Sequence, residues 1–192
     1  MVAGILCVLL LGTIVLHVMK GVAAPAAPDM ANTGAAAGAS GPAPDISQMS
    51  PRERFDRLFN RIMQAAQQDD TAQIQRFLPM ALGAYGQLDS ANVDARYHAA
   101  ILHLQGGDAA GALALADTIL AAVPTHLFGY LVRGEAARLQ GDSAALARAE
   151  RDFLTHYPAE MQAKRVEYQE HEPALDEFRK DAESGERRTG NR

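Results

Sequence analysis

The chain has 192 residues, a formal net charge of −5, 6% aromatic residues, no tryptophan and one cysteine. A mild negative charge with no basic stripe excludes the phosphate neutralisation that nucleic-acid binding requires. Cys7 alone can form neither an intrachain disulfide nor a cysteine-based metal site.

Taken in chain order, Val2 to Met19 is an uncharged, largely apolar run ending at Lys20. At about 1.5 Å per residue, that run is just long enough to cross a bilayer core. Residues 1–20 therefore read as a transmembrane anchor or, alternatively, as a cleaved signal peptide. The run is longer than a typical signal core and no Lys or Arg precedes it, which favours the anchor; Ala23-Ala24 and Ala24-Pro25-Ala26 are small-residue cleavage candidates for the other reading. Cys7 lies near the start of the run rather than after it, which argues against a lipoprotein signal, and His17 lies within a turn of the polar edge, where an interfacial position suits it. Residues 21–49 are rich in Ala, Gly, Pro and Ser and form a semi-extended linker with too little apolar surface to fold. The amino terminus and Lys20 nearly balance across the span, so charge sets no orientation. The stalk-like linker favours a single-pass protein of the inner (cytoplasmic) membrane with its domain on the periplasmic side.

Residues 50–184 are long enough for one domain. They are alanine-rich and carry no alternating β-branched runs, which makes the domain all-α. Ser50-Pro51-Arg52-Glu53 opens the first helix with a cap, a proline at the first helical position and a capping-box glutamate. Phe55, Leu58, Phe59, Ile62 and Met63 follow on one face. Asp70 with Gln73 repeats the box, and Ile74, Phe77, Leu78, Ala81 and Tyr85 form the second face, with Pro79 expected to kink the helix. A third helix is predicted from Val93 to Gln105, ended by Gly106-Gly107-Asp108; a fourth runs to the residue before Pro124. The fifth starts after Thr125 and ends at Gln140-Gly141-Asp142; the sixth stops near Pro158. Two weaker helices, about 160–171 and 173–184, and a frayed polar tail, 185–192, complete the chain.

A period runs through the middle of this domain. Gly107-Asp108 recurs as Gly141-Asp142 at an offset of 34, and the same offset relates Pro124 to Pro158, Leu120 to Leu154 and Ala100 to Gly134. A helix–turn–helix unit of this length resembles the tetratricopeptide (TPR) repeat. The resemblance is best over residues 93–126 and 127–160; residues 52–86 look like a degenerate first unit with Asp69-Asp70 in place of Gly-Asp, and residues 160–184 like a terminal cap. It implies a short antiparallel helix-pair solenoid, with the small residues Ala100 and Gly134 letting the second helix of each pair pack close. It also implies a concave groove, lined by the first helix of each pair, that takes a peptide or a partner helix. Carried onto this chain, the groove is Asp94, Tyr97, Ile101, Leu104 and Gln105 in one unit and Phe128, Leu131, Glu135, Arg138 and Leu139 in the next. The partner-binding residues expected from it are Tyr97, Ile101, Leu104, Phe128, Leu131, Glu135 and Arg138, with Tyr97, Phe128 and Arg138 as exposed contacts. A groove offering only Arg138 as a cation does not suit capture of a C-terminal carboxylate.

No enzymatic constellation is legible. There is no phosphate-binding glycine loop, no G-x-S-x-G and no cysteine nucleophile in the domain. His98 and His103 are five apart, which misses the spacing of helical metal pairs, and His171-Glu172-Pro173 resembles a helix boundary. Asp69-Asp70 reads as a solvated turn and cap. The expectation is a non-enzyme with no cofactor and no metal, acting as a membrane-anchored scaffold that binds a protein or peptide. Two alternatives stay open. One is a structural accessory subunit of a membrane complex whose transmembrane helix forms part of the interface, although Gly4 and Gly12 miss the GxxxG spacing. The other is an exported, soluble, chaperone-like periplasmic protein.

Overall fold

The computed structural model describes residues 49–190, with side chains through 185, so the N-terminal hydrophobic segment and almost all of the linker lie outside the described residues. The described residues are all-α: α1 (Pro51–Gln67), α2 (Thr71–Tyr85), α3 (Val93–Gln105), α4 (Ala109–Ala122), α5 (Leu127–Gln140), α6 (Ser143–Gln162) and α7 (Val166–Gly190). No helix among them is long and apolar enough to cross a membrane.

Helix starts follow the chemistry of the orphan N–H groups in the first turn. Ser50 and Glu53 form a full capping box. Asp70, Asn92, Asp108 and Asp142 each accept a backbone N–H from three residues on. Gln73 does not complete a box, because its side chain bonds the Asp70 carboxylate rather than the backbone. The turns share one construction: a left-handed residue immediately precedes the capping aspartate. Gly107 (φ 77°) and Gly141 (φ 70°) fill that position in the later hairpins, and Asp69 (φ 54°) fills it in the first. Glycine adopts this conformation without strain, and Asp is among the few residues that tolerate it.

The short turns fold α1–α2, α3–α4 and α5–α6 into hairpins, each with its two helices in extensive contact. α4 packs on α5 about as closely, and α3 also meets α5. One core runs through the array, with Phe55, Ile62, Leu102, Ile119, Leu127, Phe128, Phe153 and Leu175 completely buried. Small side chains allow the close approach: Ala99, Ala100, Ala112, Ala116 and Ala136 have no exposed surface. At Gly129 a Cβ would lie 2.4 Å from Leu120 Cγ of α4.

The C-terminal third differs from the sequence expectation. α6 does not stop at Pro158 but continues to Gln162, and the two weak helices expected at 160–171 and 173–184 are one helix, α7, running through Pro173 and on to Gly190. α2 also contains a proline, Pro79, inside the helix as expected. Proline removes one hydrogen bond and crowds the preceding turn, which packing on both sides can offset. Phe153 before Pro158 and Glu160 after it are both buried, as are Tyr168 before Pro173 and Leu175 and Phe178 after it. α7 packs on α6 and α5.

Candidate functional site

The residues assigned to the groove do come together on the faces of α3 and α5, but that surface is covered. Tyr97 of α3 and Phe128 of α5 stack face to face, with ring centroids 4.1 Å apart and planes at 18°. His171 of α7 stands edge-on to both, at 4.9 and 5.2 Å, and Tyr168 of α7 stands edge-on to Phe128 at 5.2 Å. Tyr97, Ile101, Leu104, Phe128, Leu131 and Glu135 are all buried. The expectation that Tyr97 and Phe128 present exposed contacts is thus corrected, because α7 lies against them.

Arg138 remains partly open, and its guanidinium joins three helices. It pairs with Glu135 on its own helix (3.3 Å), Asp181 of α7 (3.0 Å) and, more distantly, Glu150 of α6 (3.7 Å). Burial pushes the Glu135 carboxyl up, and Asp181, Glu177 and Glu150 push the same way, against the opposing pull of Arg138. The small residue at Gly134 serves α7 more than its own hairpin: a Cβ there would lie 2.4 Å from Phe178 Cζ, while Leu146 of α6 is 3.7 Å away.

The start of α7 is held by a polar knot at the start of α5. The Tyr168 hydroxyl accepts the Leu127 backbone N–H (2.9 Å) and donates to Glu160 (2.9 Å). Glu160 also accepts from Thr125 (2.5 Å) and Arg165 (2.6 Å). These donors outweigh burial and hold its carboxyl below the usual range. His126 is completely buried and caps α5 by accepting the Phe128 N–H at Nδ1 (3.3 Å), which leaves its Nε2–H to donate to Glu167 of α7 (3.2 Å). Burial lowers the His126 pKa, against the opposing effect of Glu167. One orphan donor of α5 is therefore satisfied by a side chain from α7, which ties the two helices in a fixed register.

A second cluster sits where α7 reaches α3. His171 Nε2 lies 2.9 Å from Asp94 Oδ1 and 3.2 Å from His98 Nε2, and His98 Nε2 lies 3.6 Å from the same Asp94 oxygen. All three side chains are mostly buried, at 12–16% exposure. The other Asp94 oxygen accepts from Arg52 of α1 (3.0 Å), which also pairs with Asp56 and bonds Asn92, the cap of α3. Aromatic rings fix the imidazoles: Phe59 stacks on His98 at 3.9 Å and 16°, and Tyr97 and Phe128 hold His171 edge-on. Burial opposes ionisation of Asp94, but the His171 hydrogen bond, the two histidines and Arg52 outweigh it and bring its pKa to about 2. Burial, opposed by Asp94 and reinforced by His171 and Arg52, brings that of His98 to about 4. Asp94 is therefore ionised and His98 neutral near pH 7.

Sequence reasoning missed this cluster. It weighed His98 against His103, whereas the partner on its own helix is Asp94, one turn earlier at i,i+4. That spacing was readable. No local signal points to His171, which lies 73 residues further along and arrives only because α7 folds back over α3. His103 turns elsewhere and bonds Asp108 at 2.8 Å. No family model, no curated protein and no solved structure matches this chain.

Proposed function

We propose that this protein is a membrane-tethered, non-enzymatic interaction module of TPR-like build, in which the face of α3 and α5 receives an amphipathic helical segment. One observation carries the reading. The face that a helix-pair array would offer a partner is already filled, and its occupant is a helix of the same chain. α7 brings Tyr168, His171 and Phe178 onto Phe128, Tyr97 and Gly134, and successive spacings of three and seven positions put these side chains on one helix face, as in an amphipathic helix engaging a groove. The recurring left-handed turn and capping aspartate support the TPR-like build. In this reading a partner helix engages the face when α7 lifts, with Arg138 and Glu135 at the rim. The N-terminal hydrophobic segment acts as a tether and the linker as a stalk that sets the module away from the membrane.

Site-specific photo-crosslinking tests the reading. A photoreactive residue at Arg138, on the covered face, is expected to capture a protein partner in membranes. The same residue at Ala114, exposed on α4, is not. Capture from position 114 and not from 138 would move the interface to the outer helices and end the groove reading.

A further inference from the structure

We propose that Asp94, His98 and His171 bind a divalent first-row transition ion, with zinc the best match, and that the ion staples α7 to α3.

Each imidazole Nε2 carries either a hydrogen or a lone pair, and an ionised carboxylate oxygen only accepts. In a triangle with edges of 2.9, 3.2 and 3.6 Å, no assignment satisfies every edge. If both nitrogens are protonated, two N–H groups face each other across 3.2 Å. If only His171 is protonated, it donates to Asp94, but the His98 lone pair faces the same oxygen at 3.6 Å and the His98 Nδ1–H is buried without a hydrogen-bond partner; if only His98 is, the His171 lone pair faces that oxygen at 2.9 Å. A cation at the centre removes the conflict, because all three atoms then present lone pairs to it.

The dimensions fit such an ion. The circle through the three atoms has a radius of about 1.9 Å, so an ion bonded at ~2.05 Å would sit about 0.8 Å out of their plane. A regular tetrahedral site with three protein ligands has its metal ~0.7 Å out of the ligand plane. Two imidazoles and one carboxylate are a donor set for zinc and its first-row neighbours rather than for magnesium or calcium, which take oxygen ligands. Arg52 offsets the Asp94 charge while fixing the carboxylate's orientation. Selection therefore comes from the two imidazole nitrogens rather than from a cluster of carboxylates. The aromatic stacking on His98 and the edge contacts on His171 hold both rings in place before an ion arrives.

The consequence is mechanical. The ligands lie 73 and 77 residues apart, so one ion closes a long loop and locks α7 over Tyr97 and Phe128. This inference does not depend on what else the covered face binds.

The test uses the full chain without an affinity tag, purified in mild detergent and stripped with a chelator. Zinc titrated by calorimetry is expected to bind at one equivalent, and magnesium and calcium are not expected to bind. Cobalt(II) in the same site is expected to give the intense visible bands of a low-coordinate, nitrogen-ligated ion. Saturating zinc is expected to raise the thermal midpoint by about 5 °C or more. His171→Ala and His98→Ala are each expected to weaken zinc at least as much as losing an outer-shell partner does, ~10–100-fold, whereas His103→Ala changes nothing. Should either ligand variant fail to fold, the stoichiometry and the cobalt spectrum of the unaltered chain decide alone. Absence of saturable one-equivalent binding by the unaltered chain, or binding that survives both ligand variants, overturns the proposal.

Discussion

Gly134 gives the sharpest test of whether α7 is seated as described. Elsewhere in a helix interior, replacing glycine by alanine stabilises by about 1 kcal/mol through propensity and unfolded-state entropy. At Gly134 the new Cβ would lie 2.4 and 2.5 Å from two ring carbons of Phe178. That is about 1 Å inside ordinary carbon–carbon contact. The ring cannot swing clear easily. Phe178 is buried, stands edge-on to Phe153 at 4.9 Å and has the Arg138 guanidinium 5.4 Å from its centre. Overpacking of this kind costs about 1–3 kcal/mol, so Gly134→Ala is expected to be neutral to destabilising by about 2 kcal/mol. In a Phe178→Ala background, itself destabilised by about 3–5 kcal/mol, the same change should turn stabilising by about 1 kcal/mol. Urea unfolding of the four proteins of this double-mutant cycle, as full chains in mild detergent, measures the coupling. A Gly134→Ala protein about 1 kcal/mol more stable while Phe178 is present would show that the ring does not rest on Gly134.

Other expectations follow from individual contacts. Tyr168→Phe removes the acceptor of the Leu127 N–H and the donor to Glu160, and it should lower stability by about 1–3 kcal/mol in urea melts. Asp69→Gly relieves a left-handed non-glycine residue and should stabilise by up to about 1 kcal/mol, while Gly141→Ala should destabilise by about 1 kcal/mol. The His126 pKa is lowered in the folded protein, so its contribution is present above the unfolded value near 6.5 and declines as the pH falls through it. His126→Asn, which keeps a capping oxygen, should therefore show a shallower loss of urea midpoint between about pH 7.5 and 5.5. Residues 50–184 produced alone should give a helical circular dichroism spectrum; one dominated by coil or strand would contradict the single-core account.

Much of the fold was legible because it is written locally. Ser50-Pro51-Arg52-Glu53, Asp70, Asp108 and Asp142 mark helix starts through side-chain capping, and Gly107 and Gly141 mark left-handed turns. Asp69-Asp70 reads as the counterpart of the later Gly-Asp pairs, and Asp69 takes the left-handed position. Local signals misled where tertiary packing overrides them. Pro158 reads as a stop and Pro173 as the boundary between two helices, yet buried side chains on both sides carry α6 and α7 through them. The face residues are legible as a set, but their exposure is not, because burial of Tyr97 and Phe128 depends on where α7, which begins only at Val166, comes to rest. The Asp94–His98 pair was visible as an i,i+4 spacing, whereas His171 joins it only through that same docking.

The most direct test of the proposed role is affinity purification from gently solubilised membranes, comparing the full chain with residues 50–192. If recognition resides in the helical array and the hydrophobic segment only tethers it, both forms recover the same partners. Recovery by the full chain alone would place the interface in the N-terminal segment and contradict the account.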